Sequence, residues 1–334
     1  MPKDPALTEV VPDAALMFDG RRQEAPTWDQ LRSARDSGDV LWLDVERPGD
    51  DDLLRIAELF GFHDEMLRDS AEFHQRTRMA DYEGYILIVM YAVAPDAVTM
   101  MEVHLYVTSR HVISIRREPC PPITQLRERA DHAVTARTTV PALLSRILSV
   151  LVGTFSDALE RVDDDLTELE SRILDDPLSK EQLDELLQVR RRVNIFRRAV
   201  DPARDLVGAG RFLVIDALED VSDDARRHLR DLAVDLAHVG DQLEGERDRL
   251  SAVMDVYMNQ VNNRQNRIMQ QLAAVSTVFL PLTFLTGYFG MNFASMVRDV
   301  RSPMTFLLLG LVLPVIILVG SLVVIARRGW FKDQ

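Results

Sequence analysis

Cysteine is almost missing from this sequence. One thiol, Cys120, stands in 334 residues, so no intramolecular disulfide framework can form. A basic excess is missing too: 39 Lys and Arg face 53 Asp and Glu, a formal charge of −14, which argues against a general nucleic-acid-binding surface. There is no Gly-rich phosphate loop, since the nearest glycine cluster, Gly208-Ala209-Gly210, lacks the Lys and Ser or Thr that should follow. The opening stretch MPKDPALTEVVPD has no apolar core of signal-peptide length, so the acidic portion is expected to stay in the cytoplasm. The most informative absence is local. The last 67 residues carry five cations and two anions, leaving −17 on the first 267. Thirty uncharged residues separate Arg267 from Arg298, and 25 more separate Arg301 from Arg327. As helix, each run is long enough to cross ~30 Å of hydrocarbon. Two transmembrane helices are expected. Arg264, Arg267, Arg327, Arg328 and Lys332 flank the outer ends of the pair, against Arg298 and Arg301 in the connecting loop, which places both termini on the cytoplasmic side.

What is present ahead of the spans divides in two. From about Ala14 to Glu118 the pattern is mixed α and β. Short strands are expected at Ala15 to Phe18 and Val40 to Val45, and longer ones at Tyr85 to Val93, Met101 to Thr108 and Val112 to Arg116, where Val, Ile, Tyr and Met concentrate. Trp28 to Arg35 and Asp50 to Phe60 have helical spacing, the second with Leu53, Leu54, Ala57 and Phe60 on one face. The cluster Pro119-Cys120-Pro121-Pro122 marks a boundary. Beyond Pro141 the pattern is helical. Leu144, Ile147, Leu148, Leu151, Phe155, Leu159, Val162, Leu166, Leu169 and Ile173 recur at three and four until Asp175-Asp176-Pro177. A second helix starts near Ser179 and should kink or end at Pro202. Ser222, Asp223 and Asp224 cap a third, which runs without an obvious stop into the first span. The fold class is therefore α+β. An N-terminal cytoplasmic α/β domain (1–135) leads to a cytoplasmic helical and stalk region (136–271). A first transmembrane helix (272–293), an external loop (294–303), a second transmembrane helix (304–326) and a cytoplasmic tail (327–334) follow.

Steps of four and three from Asp255 give Asn259, Asn262, Asn266, Met269, Ala273, Ser276, Leu280, Thr283, Gly287 and Gly290, a seven-residue repeat. Its chemistry differs from the Leu or Ile of a simple coiled coil. Two readings are open. Amide and hydroxyl oxygens along it could line an aqueous path, with Met269, Leu272 and Leu280 as apolar rings that gate by dewetting. Alternatively the stripe is an ordinary packing face of small residues, with Asn fixing register. Two spans cannot enclose a pore, so the path reading requires a cyclic homo-oligomer with one stripe from each copy facing inward. Subunits of −17 around that axis would concentrate cations at its cytoplasmic mouth.

At the end of the first span, Pro281-Leu-Thr-Phe-Leu-Thr-Gly-Tyr-Phe-Gly290-Met291-Asn292-Phe293 resembles the CorA family of divalent-cation transporters. The tripeptide Gly290-Met291-Asn292 gains specificity from its place between a long helix and one final span. The resemblance covers essentially the whole chain. It implies a homopentameric Mg²⁺ channel in the lipid bilayer, permeable in many relatives to Co²⁺ or Ni²⁺, with no organic cofactor and no enzymatic activity. It also implies a selectivity filter at Gly290, Met291 and Asn292, with the Asn292 amides ringing the outer mouth. Mg²⁺ is small and surrenders water reluctantly, so such a ring would recognise its hydration shell. The resemblance further implies that intracellular Mg²⁺ is a regulatory ligand as well as the substrate, holding the pore shut from between subunits. Phe62-His63-Asp64-Glu65-Met66-Leu67-Arg68-Asp69 resembles the stretch that bears one ligand, which matches Asp69, and the stalk partner matches Asp231, with Asp235 one turn further. Asp255 would form an acidic ring near the cytoplasmic end of the pore. The outer loop departs from the family pattern, with Arg298 near the usual acidic residue.

A Zn²⁺ transporter of the same family with proton coupling is the alternative within the class. A membrane-anchored cytoplasmic enzyme is the alternative outside it, yet His63, His74, His104 and His111 lack zinc-pair spacing and Cys120 sits among prolines. A structural scaffold would not need polar residues through the membrane. Asp163, Asp164 and Asp165 are expected as surface charge, as are Arg190, Arg191, Arg192, Arg197 and Arg198, which could also contact lipid headgroups.

Overall fold

A computed structural model describes residues 9–63, 68–70, 72–129, 134, 138–175, 179–207, 223–291 and 303–327. The chain forms two compact units. One comprises Met1–Leu174 and Ser179–Val253, the other Asp175–Leu178 and Met254–Gln334.

The first unit is built on a seven-stranded sheet of order β2-β1-β3-β7-β6-β5-β4. Its strands are β1 (Ala14–Phe18), β2 (Arg21–Glu24), β3 (Leu41–Glu46), β4 (Arg78–Tyr82), β5 (Tyr85–Val93), β6 (Met100–Val107) and β7 (His111–Arg116). Only β3 and β7 pair in parallel, and the remaining neighbours are antiparallel. The central strands β3, β5, β6 and β7 are buried almost throughout, so both sheet faces are covered, and their buried polar members are paired, Asp44 with Ser114 and Arg116 and Glu102 with His104. Helices α1 (Trp28–Asp36) and α2 (Asp50–Phe60) cover one face. Trp28, Leu31, Ala34, Leu53, Ile56 and Ala57 share a core there with Leu16, Leu43, Val45, Leu87, Tyr106 and Ile115. The α1 start is fixed by a reciprocal Thr27–Gln30 capping box, in which each side chain accepts from the other's backbone N–H.

Three expectations need correction. Leu54 is exposed, and Ile56 occupies the buried face of α2 in its place, because positions 53, 56, 57 and 60 follow the 3.6 period more closely. Strands β2 and β4 were not foreseen. They form the two sheet edges, where one flank has no ladder partner and little side-chain burial is required, so RRQE and RMADY show no apolar signature. The proline cluster after Glu118 opens a helix, α3 (Pro121–Glu128), because proline at the first helical positions removes a donor that would be unpaired anyway.

Helix α4 (Val140–Asp175) buries every residue of the expected apolar series from Leu144 to Ile173. Helix α5 (Lys180–Val207) begins with a Ser179–Gln182 capping box and continues through Pro202 for five more residues, so of the expected kink or end the end does not occur. Pro202 offers no N–H to the Arg198 carbonyl, and at the next carbonyl the Thr77 hydroxyl donates to Ala199 O at 3.0 Å, so the loop before β4 supports the weakened turn. The ring of Phe155 on α4 meets Phe196 on α5 edge-on at 5.9 Å.

Helix α6 spans Asp223–Phe289, 67 residues, close to the expected run from Ser222 to Gly290. Its N-terminal part buries Leu229, Leu232, Leu236, Val239, Leu243, Leu250, Val253 and Tyr257, a heptad seam broken once, at Glu246. Burial, reinforced by Asp163 and partly offset by Arg249, pushes the Glu246 carboxyl above the usual range. At Gly240 a Cβ would collide with Arg204 of α5, whose guanidinium lies 3.6 Å from Asp241. The acidic triplet of α4 is exposed as expected but not idle. Asp163 takes Arg249 of α6 and Asp165 takes Arg192 of α5, tying three helices together.

In the second unit, α6 passes through Pro281 and ends at Phe289. The C-terminal segment contains α7 (Pro303–Phe306), a π-helical stretch (Leu307–Val312) and α8 (Leu313–Arg327). The wide turn was not expected. It ends two residues before Pro314, where a missing N–H has to be absorbed by the helical ladder. Residues 294–302 of the expected external loop, Arg298 among them, and the expected cytoplasmic tail beyond Arg327 lie outside the described residues.

Candidate functional site

The predicted stripe occupies one continuous face of α6. Asp255, Asn259, Asn262, Asn266, Met269, Leu272, Ala273, Ser276, Leu280, Thr283 and Gly287 are all exposed in the single chain. Leu280 is 73 % exposed and Met269 60 %, an extreme degree for apolar residues that nothing in their own chain covers. The less exposed positions of the same stretch, Ala274, Val278, Pro281, Leu282 and Leu285, lie about 150° away around the helix. Ala274 alone is buried in this stretch, and most of the remaining helix surface, the stripe with Ser276 and Thr283 included, is left open. Ser276, Leu280 and Thr283 line one groove with Phe279, Pro281 and Phe284.

Hydroxyls on α6 are partly spent on the helix itself. Thr277 Oγ1 donates to Ala273 O at 2.7 Å, and Thr286 Oγ1 donates to Leu282 O at 3.0 Å. Pro281 brings no N–H to the Thr277 carbonyl, which leaves an extra backbone oxygen beside the stripe. Residue-type periodicity had not singled out that oxygen. The signal available in the sequence was a proline four residues after a threonine.

The helix closes at the motif. Gly290 N–H donates to Thr286 O at 2.9 Å and Met291 N–H to Tyr288 O at 3.3 Å. A Cβ on residue 290 would stand 2.9 Å from the Thr286 carbonyl oxygen, closer than side-chain carbons come, so glycine is required for this turn. Met291 is exposed at 43 %. Asn292, the expected amide ring, lies outside the described residues.

The three carboxylates implied as regulatory ligands are differently placed. Asp69 belongs to the first unit and is saturated with donors. Arg78 Nη2 lies 2.6 Å from its Oδ1, and the Tyr82 hydroxyl donates to Oδ2 at 3.1 Å. Gln75 closes the arrangement, accepting from Arg78 Nε at 2.9 Å and donating to the Asp69 carbonyl at 2.9 Å. Burial and the Asp69 bond push the Tyr82 hydroxyl above its ordinary range. The loop is anchored in turn by Glu102, which accepts from the backbone N–H groups of His74 and Gln75 and faces His104 at 2.8 Å. Burial alone would raise the Glu102 carboxyl, but the hydrogen bonds from His104 and that backbone hold it below the usual range. Asp231 and Asp235 stand one turn apart on α6, exposed and without an ion-pair partner among the described residues. Among the described residues no three His, Cys, Asp or Glu side chains of one chain assemble to hold a metal. The donor chemistry of all three, hard carboxylate oxygen, suits Mg²⁺.

The chain matches known proteins along most of its length. The family model described as CorA-like Mg²⁺ transporter protein covers residues 37–327. The "Cobalt/magnesium transport protein CorA" of Thermotoga maritima is 28% identical over 269 residues, covering 78% of this chain and 76% of that protein. A "Zinc transport protein ZntB" from Photorhabdus laumondii is 28% identical over 200 residues, 59% of this chain and 58% of its own length. Among solved structures, the complete CorA magnesium transporter from Methanocaldococcus jannaschii superposes with a TM-score of 0.80 at 22% identity, covering 95% of this chain and 98% of that one.

Proposed function

Because this chain belongs to the CorA-like Mg²⁺ transporter family, we propose that it conducts hydrated Mg²⁺, with Co²⁺ or Ni²⁺ as further cargo, inward through a pore at the axis of a homopentamer. The observation that carries this reading is the exposed stripe from Asp255 to Gly287, a face with polar and small residues that the rest of its chain leaves uncovered. Copies related by a rotation axis would bring these faces together. Asn259, Asn262 and Asn266 then offer oxygens to the water shell of the ion. Met269, Leu272 and Leu280 supply constrictions that dewet when the helices approach. Both α6 and the C-terminal segment span the membrane with the first unit in the cytoplasm. No fuel is needed, since two charges moving through 100 mV release ~4.6 kcal/mol.

Selection falls to Gly290, Met291 and Asn292. Gly290 allows the helix to stop where it does, and Asn292 presents amides to a hydrated ion at the outer mouth. In proteoliposomes loaded with a Mg²⁺-sensitive dye, Asn292→Ala is expected to abolish uptake while the assembly keeps its size. Normal flux through that variant would remove Asn292 from the filter. Competition by Zn²⁺ and repetition under a pH gradient distinguish a proton-coupled zinc carrier from a passive magnesium channel.

Closure is regulatory Mg²⁺ binding between Asp69 of one subunit and Asp231 or Asp235 of the next. Asp69 starts from an engaged state, so the ion must displace Arg78, a tethered cation that competes for the same carboxylate. Arg78→Ala is therefore expected to lower the Mg²⁺ concentration for half-maximal protection against limited proteolysis by about tenfold, equivalent to one ion pair of about 1.4 kcal/mol. Asp69→Asn should abolish the protection altogether. An unchanged or raised Mg²⁺ requirement in Arg78→Ala would show that Arg78 does not compete.

A further inference from the structure

The pathway proposed above uses none of the arginines of α5, and the fold sorts them. Arg192 is tied to Asp165, and Arg197 lies 3.4 Å from Asp201. Arg198, and Arg76 from the loop before β4, are exposed and have no carboxylate partner among the described residues. Both line a single open cavity of about 1140 Å³ in the first unit, together with His74, Asn194, Arg197 and Asp201.

The walls of this cavity are fixed on several sides. Thr77 Oγ1 bonds Ala199 O at 3.0 Å on the α5 side, and Gln75 N–H bonds Glu102 Oε1 at 3.1 Å on the sheet side. The Tyr91 hydroxyl donates to the Gln75 carbonyl between them. Three arginines and one aspartate therefore line a held cleft, a local excess of positive charge on a chain whose formal charge is −14. Arg76 and Arg198, without counter-ions beside the Arg197–Asp201 pair, leave uncompensated positive charge that an anion entering the cleft would neutralise. Guanidinium forks match phosphate oxygens in pairs, which carboxamides and ammonium groups do less well. Ile195, 40 % exposed, and Met100 add an apolar wall to the same cavity.

We propose that this cleft is a binding site for a small organic polyphosphate of the nucleoside di- or triphosphate class. The phosphates lie between Arg76, Arg197 and Arg198, and the organic portion rests against Ile195 and Met100. None of its residues is among those assigned above to the ion path, and the proposal does not depend on that assignment.

Equilibrium dialysis of the full-length protein in detergent with radiolabelled ATP, in EDTA so that divalent ions play no part, tests the proposal. Saturable binding is expected with a dissociation constant of about 10–100 µM. Inorganic pyrophosphate should compete and adenosine should not. Arg76→Glu with Arg198→Glu should weaken binding at least about 30-fold, while Arg190→Glu with Arg191→Glu, the same charge change on exposed positions outside the cavity, stays within about threefold. Arg76→Lys with Arg198→Lys should fall between wild type and the reversal, since the charge remains and the fork is lost. Unchanged thermal unfolding of each variant confirms that the cleft is intact. The proposal is overturned by absence of saturable binding up to about 5 mM ATP, or by equal losses in the two charge reversals. It is also overturned if vesicles of phosphatidylglycerol bind through these arginines while soluble polyphosphates do not, which would assign the cleft to lipid headgroups.

Discussion

Helices α4 and α6 both contain runs apolar and long enough to cross a bilayer, and the structure treats them in opposite ways. In α4, 56% of the most apolar window is buried inside the protein; in α6 the corresponding figure is 6%, and in the segment Pro303–Ile325 it is again 6%. Leu144, Leu151 and Phe155 of α4 meet the rest of their own unit, so their transfer from water is completed by folding. Phe279, Leu280 and Phe284 of α6 meet nothing comparable, and their exposure of 63–73 % requires an external partner, lipid or another copy. Length and hydropathy identify an apolar helix. Only the destination of its side chains distinguishes a core from a membrane span.

The sharpest way to break this comparison is a matched pair of truncations. Phe155→Ala is expected to cost the first unit about 3–5 kcal/mol in thermal or denaturant unfolding, whereas Phe284→Ala, lacking intrachain packing to lose, should cost under about 1 kcal/mol in detergent. Comparable losses would mean that the α6 face is covered within the chain.

A second experiment separates the two faces of α6 itself. Burial pushes the Cys120 thiol up to about 11, so the native cysteine gives little background reaction at neutral pH. In bilayers, a water-soluble thiol reagent should modify Ser276→Cys about 100-fold faster than Val278→Cys, because only the thiolate in contact with water reacts. Equal rates would place the stripe in lipid or in a dry contact, the packing alternative that periodicity left open.

The smallest expected effect is a pH dependence confined to one region. Burial, with Arg35 and Arg110 nearby, pushes the His111 imidazole from an ordinary 6.5 down to about 4. The unfolded chain therefore takes up this proton first as pH falls. Stability is fully present above about 6.5 and is lost between that value and about 4, by about 1–2 kcal/mol allowing for partial solvent exposure. His111→Gln should flatten the profile of the first unit. From Ile268 to Phe289 the α6 span contains no carboxyl or imidazole to titrate in this range, and its helicity should be insensitive over the same interval.

Much of this architecture was legible because it rests on repetition. The α4 series at three and four, the uncharged runs and the helix from near Ser222 to near Gly290 are regularities that hydrophobic burial imposes on sequence, and each appears close to where it was expected. The edge strands β2 and β4 were not legible. Their residues answer to backbone ladders supplied by β1 and β5 and not to a side-chain pattern of their own. That α5 does not end at Pro202 was hidden for a related reason. The support for its turn comes from Thr77, 125 positions earlier in the chain, and no local window contains both. At the candidate site, the stripe could be read from residue type and spacing and the Gly290 turn was expected from the family resemblance, but the occupation of Asp69 by Arg78 and Tyr82 was in neither.

The sequence by itself determined which helices are long, which stretches are free of charge and where polar residues recur on a helical face, because these depend on solvation and period alone. Tertiary structure decided which apolar helix is core and which face of α6 is left open. It also decided that Asp69 is already paired with a cation and that two unpaired arginines share one cleft. Those outcomes depend on groups far apart in the chain meeting at hydrogen-bonding or van der Waals distance, and the strength of such contacts follows from geometry that no linear spacing encodes.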